Sequence, residues 1–186
     1  NTSEITKFDN PSKILSDYYV GQKLGDIWGY VVDGLFRTDE EAANYNVDQT
    51  AVNFVINTAQ VNPGLHAGDM KFVDLDGDHT ISSGSNTADD PGDRKIIGNS
   101  TRRYQYGIHG GASWKGFSLS FLLQGVGKRD LWIMNDLFYP HYDAWTTVYD
   151  TQLNYWTPER TDSYFPRLYE KAAGNTAANT RIQTRY

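Results

Sequence analysis

The most chemically specific stretch of the chain is residues 74–78, Asp-Leu-Asp-Gly-Asp, which places three aspartates at alternate positions. Asp74, Asp76 and Asp78 occupy positions 1, 3 and 5 of the calcium-binding loop pattern, in which a tight turn points alternate side chains at one centre. The carbonyl of Thr80 would be the position-7 ligand, and Ile81 would anchor the loop to a small core. The sequence therefore predicts a structural Ca²⁺, in preference to the smaller and more rigidly coordinated Mg²⁺.

The loop departs from the calcium pattern at two positions. Position 6 holds His79 where the pattern has Gly, and position 12 holds Ser where the pattern has Glu. The closing acid must then come from beyond an inserted segment at 83–88. Asp93 is the preferred choice, with Asp89 or Asp90 as alternatives. The competing interpretation of the whole stretch is a solvated acidic loop that binds no ion.

Composition favours β structure and argues against several functions. The 186 residues can form one domain with a core, and their 14% aromatic content and 17 glycines are typical of strands and tight turns. A net charge of −6, without any basic run, argues against nucleic-acid binding. The absence of cysteine excludes disulfides and thiolate metal sites. The sequence contains no apolar stretch of about 18 residues, so no transmembrane helix is predicted. This hydropathy criterion does not detect barrel strands, in which apolar and polar residues alternate.

Local patterns predict the elements that position the acidic loop. Aromatic and β-branched residues between glycines over 19–36 predict short strands with bends or bulges. Thr38, followed by acids and by Glu41, predicts a capped helix over about 39–46. Residues 68–74 predict a short strand that leads directly into the loop. No signal peptide is visible, and we interpret the chain as a fragment of a longer protein.

From Arg103 onward the pattern changes to strict two-residue alternation. The apolar row contains Tyr104, Tyr106, Ile108, Gly110, Ala112 and Trp114, then Phe117, Leu119, Phe121 and Leu123 after a turn at Lys115-Gly116. This pattern predicts a hairpin with one apolar face and one small, polar face. Arms of about 9–11 residues can cross a bilayer as tilted strands, and aromatics at both ends resemble barrel girdles. The alternative is a hairpin that covers the core of a soluble protein.

The last third of the chain loses this alternation. Residues 143–156 predict a helix capped by Asp143, with Trp145, Val148, Tyr149 and Leu153 along a packing stripe. Separately, aromatic side chains are candidates for stacking on a sugar substrate. These candidates are Trp28, Trp132 and Tyr139.

A series of short motifs runs through residues 20–168. In chain order they are VGQ (20–22), GYVVDGLF (29–36), PG (63–64), GD (68–69), DLDGD (74–78), DR (93–94), IGN (97–99), YQYG (104–107), WKGF (114–117), QG (124–125), YWTP (155–158) and FPRL (165–168). Each motif alone has little specificity. Taken in this order, the series resembles the C-terminal part of a SusC/RagA-type TonB-linked outer-membrane transporter.

The resemblance implies a mainly β fold, part of a 22-stranded antiparallel transmembrane β-barrel with long extracellular loops and short helices. Residues 1–102 would be an extracellular loop region containing the acidic loop (74–93). Residues 103–127 would be a transmembrane β-hairpin, and 128–186 an extracellular loop region leading to the next strand. In a bacterial outer membrane, the protein would import oligosaccharides or peptides. TonB would drive import through a plug and TonB box outside this chain, with a SusD-like surface lipoprotein as lid.

Two other function classes compete with transport. A soluble, calcium-stabilised carbohydrate-binding or adhesin module would require the apolar hairpin face to be covered by the chain's own residues. A glycosidase would use two carboxylates. The acids, however, cluster in one calcium-like loop without a nucleophile motif, and the four histidines are scattered. We therefore expect no enzymatic activity.

Overall fold

A computed structural model describes residues 2–49, 51–52, 65–133 and 149–168, and within them the chain is mainly β. The strands are β1 (Asp26–Tyr30), β2 (Val32–Leu35), β3 (Met70–Phe72), β4 (Arg94–Asn99), β5 (Gln105–Trp114) and β6 (Phe117–Val126). Three antiparallel pairs form, β1 with β4, β2 with β3 and β5 with β6. The predicted fold class is confirmed as mainly β and antiparallel, and the described strands do not close into a barrel. Every helix in this part of the chain is too short or too polar to traverse a bilayer.

The first four strands are short, and β1 and β2 confirm the short strands predicted from the glycine-punctuated sequence over 19–36, whereas β4 was not predicted. The β1–β4 ladder shifts register between Ile27 and Trp28, which is a bulge of the kind that bends a strand. β2 pairs Val32 with Phe72 of β3, and this confirms the strand predicted to precede the acidic loop.

Helix α1 (Asp39–Ala43) begins where the sequence predicted and ends earlier. The backbone N–H of Glu41 donates to Thr38 Oγ1 at 3.1 Å, as an N-cap requires. The predicted continuation to residue 46 is wrong because Tyr45 is held elsewhere. Its hydroxyl donates to the carbonyl of Phe72, and its ring meets Phe36 edge-on at 5.2 Å. Tertiary contacts therefore end the helix.

A small hydrophobic core lies against the acidic loop. Met70, Phe72 and Ile81 are almost fully buried, and the partly buried residues packed against them are Tyr30, Val32, Leu35, Val47 and Val52. Burying each large apolar side chain contributes roughly 1.5–3 kcal/mol. Ile81 anchors the end of the loop in this core, as the sequence predicted.

Residues 154–167 pack onto the same region through Trp156, which is only 6% exposed. The backbone N–H of Trp156 donates to the carbonyl of Phe165 at 3.0 Å. The backbone N–H of Arg167 donates to the carbonyl of Gly68 at 2.9 Å. The helix predicted over 143–156 is wrong in its described part, where only a 3₁₀ turn (Asp150–Gln152) forms. Pairing of Tyr155 with Phe165 requires extended chain there. Residues 143–148 of that prediction lie outside the described residues.

The predicted hairpin is confirmed in β5 and β6. Ten residue pairs connect the strands, from Gln105 opposite Val126 to Trp114 opposite Phe117. Lys115 and Gly116 have φ of 47° and 85°, and positive φ at both central residues is what a type I′ turn needs. The register places the whole predicted apolar row on one face. On that face Trp114, Phe117 and Leu119 are 69%, 79% and 68% exposed. The described part of the chain therefore leaves the face uncovered.

Substitution of Gly68 by Ala should release residues 154–167 from β3. Gly68 has φ +88°, and an added Cβ would lie 2.6 Å from Trp156 Cδ2 and from Arg167 Cβ. Gly21 is a matched control, since its φ is +91° with open space around it. Both variants carry the left-handed strain of about 1–2 kcal/mol, and only Gly68→Ala adds a clash.

We expect trypsin to cleave after Arg160 at least ~10-fold faster in Gly68→Ala than in Gly21→Ala, because cleavage follows local opening. Limited proteolysis of the intact protein with mass spectrometry measures this ratio. Equal rates in the two variants would show that Gly68 does not hold the segment.

Candidate functional site

The acidic loop brings three carboxylates together as the sequence predicted. Asp74, Asp76 and Asp78 each have an oxygen within 4.8 Å of an oxygen of the other two, and they form the one such acidic or histidine group among the described residues. Oxygens bound to one Ca²⁺ at 2.3–2.6 Å lie within about 5 Å of each other. The three side chains are therefore spaced to share a single cation.

Backbone N–H groups hold these carboxylates in place. Both oxygens of Asp74 accept hydrogen bonds, from Gly77 N at 2.6 Å and from His79 N at 2.9 Å. Asp76 accepts from Asp78 N at 3.1 Å, and Asp78 accepts from Thr80 N at 2.7 Å. The Gly77 hydrogen bond is the main reason that the pKa of Asp74 lies below its usual value. Asp74 is therefore ionised at neutral pH, as a metal ligand must be.

His79 takes the backbone conformation that the calcium pattern assigns to glycine at position 6. Its φ is +64°, close to the +83° of Gly77, so both residues turn the chain in the left-handed region. His tolerates this region better than β-branched residues do, at a cost of about 1–2 kcal/mol. The sequence departure at position 6 therefore leaves the left-handed turn in place.

The exit of the loop is fixed by a short parallel bridge between Asp48 and Thr80. Asp48 N donates to the carbonyl of His79 at 2.8 Å, and Ile81 N donates to the carbonyl of Asp48 at 2.8 Å. Thr80, the predicted carbonyl ligand, thus lies between two backbone hydrogen bonds at the rim of the loop. Its role as a ligand stays a prediction.

Asp93 connects the two ends of the segment 75–82, which contains Asp76 and Asp78. Its side chain is fully buried, and its oxygens accept hydrogen bonds from Leu75 N and Ser82 N, both at 2.7 Å. The structure does not bring Asp93 into the group of three carboxylates. Its assignment as the closing metal ligand stays a prediction. The geometry already gives it another task, the closure of the loop through backbone contacts.

The two alternative closing acids are engaged with other groups. Asp89 forms an ion pair with Lys13 Nζ at 2.8 Å. Asp90 accepts hydrogen bonds from the hydroxyl and the N–H of Ser85, at 2.5 and 2.9 Å, and the hydroxyl is the main reason that its pKa is lowered. Neither acid joins the three-carboxylate group.

The inserted segment at 83–88 contacts residues near the start of the chain. Ile14 pairs with Thr87, and Leu15 N donates to the carbonyl of Asn86 at 2.9 Å. Arg94 Nη2 donates to Ser83 O and to Asn86 Oδ1, both at 2.9 Å. The segment is therefore held from two sides.

Two of the three candidate stacking residues, Trp28 and Trp132, lie among the described residues. Trp28 lies in β1 opposite Ile96, is partly buried, and has no hydrogen-bond partner for its buried indole N–H in the described part of the chain. Trp132 is partly buried beyond the end of β6. No ring contact joins these two side chains within the described ranges. Tyr139 lies outside the described residues.

Two buried amides with structural roles were missed by sequence reasoning. Gln49 donates to Met70 O at 3.0 Å and accepts from Phe72 N at 2.8 Å, so its side chain extends the ladder of β3. Asn99 donates to Leu24 O and Asp26 Oδ1, and its N–H donates to Asp130 Oδ2. The IGN motif marked Asn99 without indicating these partners. No local signal marked Gln49.

Comparison with known proteins finds similarity to TonB-dependent receptors. No protein-family model matches the chain. It is 30% identical over 132 residues, 60% of its length, to TonB-dependent receptor P39 of Formosa agariphila, and 26% identical over 148 residues, 79% of its length, to TonB-dependent receptor P3 of the same organism. The chain spans 12% of the length of each relative. This weak similarity supports the TonB-dependent receptor family without distinguishing the SusC/RagA type.

Substitution of Asp93 by Asn should loosen the acidic loop at Leu75 and at Ser82. The amide keeps one acceptor oxygen and turns an NH₂ group toward the other N–H donor. Hydrogen bonds to buried charged groups contribute roughly 1.5–3 kcal/mol each, so local stability should fall by about 2 kcal/mol or more. Amide hydrogen exchange at Leu75 and Ser82, measured on the intact protein, should accelerate on the order of 30-fold.

Asp89→Asn is the matched control, since it makes the same chemical change in an exposed ion pair with Lys13. Such pairs contribute about 0.2–1 kcal/mol, so exchange at the two amides should change little. If Asp93→Asn changed exchange no more than Asp89→Asn, the loop would not depend on the buried carboxylate.

Proposed function

We propose that the chain is part of an outer-membrane active transporter of the SusC/RagA type, which imports oligosaccharides or peptides with TonB energy. The observation that supports it best is the β5–β6 hairpin, whose apolar face is exposed along its whole length. The similarity to two TonB-dependent receptors supports the same conclusion. Those relatives are named as receptors, which favours transport over enzymatic activity.

The hairpin has the dimensions and polarity of a membrane-crossing element. Each strand has ten residues, within the range that a tilted strand needs to span a bilayer. Large apolar side chains exposed on one face would aggregate in water, whereas lipid would cover them. A soluble calcium-stabilised module would instead cover this face with its own residues, and the described chain does not.

The ends of the hairpin match membrane interfaces. Trp114 and Phe117 flank the tight turn, and Tyr104 and Tyr106 lie at the other end. Lys115 Nζ lies 4.7 Å from the Trp114 ring centroid, so an aromatic and a cation are paired where a barrel meets the polar head groups. We infer that the short turn faces the periplasm and that the opposite end faces the cell exterior.

Residues 1–102 and 128–186 are then extracellular loop regions joined at the outer end of the hairpin. Arg103 N donates to Lys128 O at 3.0 Å, and Asp130 N donates to Asn99 O at 2.9 Å. These contacts fasten the loops to the strand ends. In the proposal, the loops contact a SusD-like surface lipoprotein that acts as a lid. TonB engages a plug and TonB box outside this chain.

We also propose that the acidic loop binds Ca²⁺ as a structural cofactor. Three carboxylates spaced for one cation, one of them with a lowered pKa, support this assignment. A flexible, all-oxygen site suits Ca²⁺ better than Mg²⁺. The ion would hold the loop in shape beside a core that is too small to do so alone.

Substitution of Leu123 by Arg should block assembly of the protein in the outer membrane. Leu123 lies in the apolar row near mid-strand, opposite Ile108, whereas the adjacent Gln124 lies on the polar face. An arginine on the lipid face near the midplane costs about 2–4 kcal/mol, and one on the interior face is tolerated. We expect Leu123→Arg to lower the outer-membrane level and the uptake of cargo, while Gln124→Arg leaves the membrane level unchanged.

The same strains test transport. Removal of the protein should abolish uptake of one class of labelled glycan or peptide. Unchanged uptake of every such compound would contradict the transport proposal. Greater loss of assembly with Gln124→Arg than with Leu123→Arg would contradict the orientation of the hairpin.

Removal of calcium should expose β4 to proteolysis. With EDTA, endoproteinase Lys-C should cleave after Lys95 faster, because the loop that precedes β4 loses its shape. Added Ca²⁺ should restore protection at concentrations where Mg²⁺ does not. The measurement uses detergent-purified intact protein, with cleavage after Lys128 as the internal control. Unchanged cleavage after Lys95, or equal protection by Mg²⁺, would contradict a calcium site.

A further inference from the structure

A polar cavity of about 830 Å³ lies between the first loop region and a turn of the second. It is lined by Asp33, Gly34, Leu35, Arg37, Glu41, Lys71, Thr161 and Asp162. Its volume falls within the range of small-molecule sites. Among the described lining residues Leu35 is the one large apolar side chain, so this part of the lining would recognise a ligand through charge and hydrogen bonds.

One wall of the cavity is held by a network around Lys71. Its Nζ lies 3.3 Å from Glu41 Oε1 and 3.8 Å from Asp33 Oδ2, and 5.3 Å from the centroid of the Tyr45 ring. Glu41 also accepts a hydrogen bond from Arg37 N at 2.8 Å. The charge of Lys71 is therefore compensated within the protein, and this wall is preorganised.

The opposite wall is the turn that carries Thr161 and Asp162. The next residue, Ser163, is buried, and its hydroxyl donates to the carbonyl of Phe165 at 2.9 Å. Phe165 and Trp156 are themselves buried. The position of Asp162 is therefore set by residues packed against the first loop region.

Two charges in the lining have no ion-pair partner in the described part of the chain. Arg37 and Asp162 are both exposed and carry opposite charges, and no ion pair forms between them or with other described residues. A ligand with a carboxylate and an ammonium group would pair with both. A guanidinium can bind a carboxylate through two parallel hydrogen bonds.

We propose that this cavity binds a short zwitterionic peptide, with its C-terminal carboxylate on Arg37 and its N-terminal ammonium on Asp162. The inference rests on the proposed transport function and narrows its cargo to peptides. The described part of the lining also favours a peptide over a sugar, because sugars stack on aromatic faces and none of the described lining residues is aromatic. Neither Trp28 nor Trp132 lies in its lining.

Binding of capped and uncapped tripeptides tests this assignment. Detergent-purified intact protein is titrated calorimetrically with trialanine, N-acetyl-trialanine, trialanine amide and maltotriose. We expect trialanine to bind, and each cap to weaken binding by about 10-fold or more, since each removes one charge-assisted contact. Maltotriose should bind more weakly than trialanine.

The variants assign each end of the peptide to one residue. Arg37→Gln should abolish the preference for trialanine over its amide and retain the preference over the acetylated peptide. Asp162→Asn should show the converse pattern. Lys95→Gln, an exposed charge change in β4, is the control and should preserve both preferences. A folding defect would weaken all ligands together, so these selectivity ratios separate lost recognition from lost structure.

The proposal is overturned if trialanine does not bind, if maltotriose binds more tightly, or if both variants keep both preferences. These measurements need neither TonB nor a membrane gradient. A protein that assembles in the outer membrane and imports glycans, but does not bind trialanine, would overturn the peptide site and leave the transport proposal standing.

Discussion

The buried carboxylate of Asp93 determines how the loop region is assembled. Its two oxygens accept hydrogen bonds from Leu75 N and Ser82 N, at the two ends of the segment that contains Asp76 and Asp78. Because a buried carboxylate must be compensated, these backbone donors cannot move away without leaving a charge unpaired. β4 begins at the next residue, so the same group also sets where the pairing with β1 starts.

Hydrogen bonds from polar side chains stabilise the chain around this carboxylate, where the hydrophobic core is small. Met70, Phe72 and Ile81 form a small core, and the surrounding chain is held by side chains that bond to backbone. The Gln49 amide forms hydrogen bonds with backbone groups of β3. Asn99 forms hydrogen bonds with Leu24, Asp26 and Asp130. An extended surface loop with few apolar contacts can keep a defined shape in this way. A bound cation would add to the same network.

The β5–β6 hairpin differs from this region, because it is regular and exposes its apolar side chains. Its two strands pair with each other in one regular ladder, and their outer edges have no strand partner among the described residues. Its apolar side chains project outward, and no described residue covers them. Gly110 leaves the space that the ring of Phe121 occupies, and Gly125 does the same for Tyr106. The chain therefore combines a region stabilised by polar contacts with a hairpin whose apolar face no described residue covers. This division is the physical basis of the transport proposal.

Local patterns were sufficient where neighbouring residues decide the structure. The alternation from Tyr104 to Leu123 predicted the hairpin, its turn and its two faces, because side chains in a strand alternate by necessity. Thr38 and Glu41 predicted the start of α1. The spacing of Asp74, Asp76 and Asp78 predicted their convergence, because a tight turn brings alternate residues to one centre. Each of these features depends on contacts within a few positions along the chain.

Only the tertiary structure decided the features that depend on distant partners. The bond from Tyr45 to Phe72 ends α1 early, and the pairing of Tyr155 with Phe165 replaces the described end of a predicted helix with extended chain. The cavity joins Arg37 to Asp162 across more than a hundred residues, and no local pattern relates them. Asp93 shows the same division. The sequence marked it as an acid near the loop, but only the packing around it buried both oxygens against backbone donors.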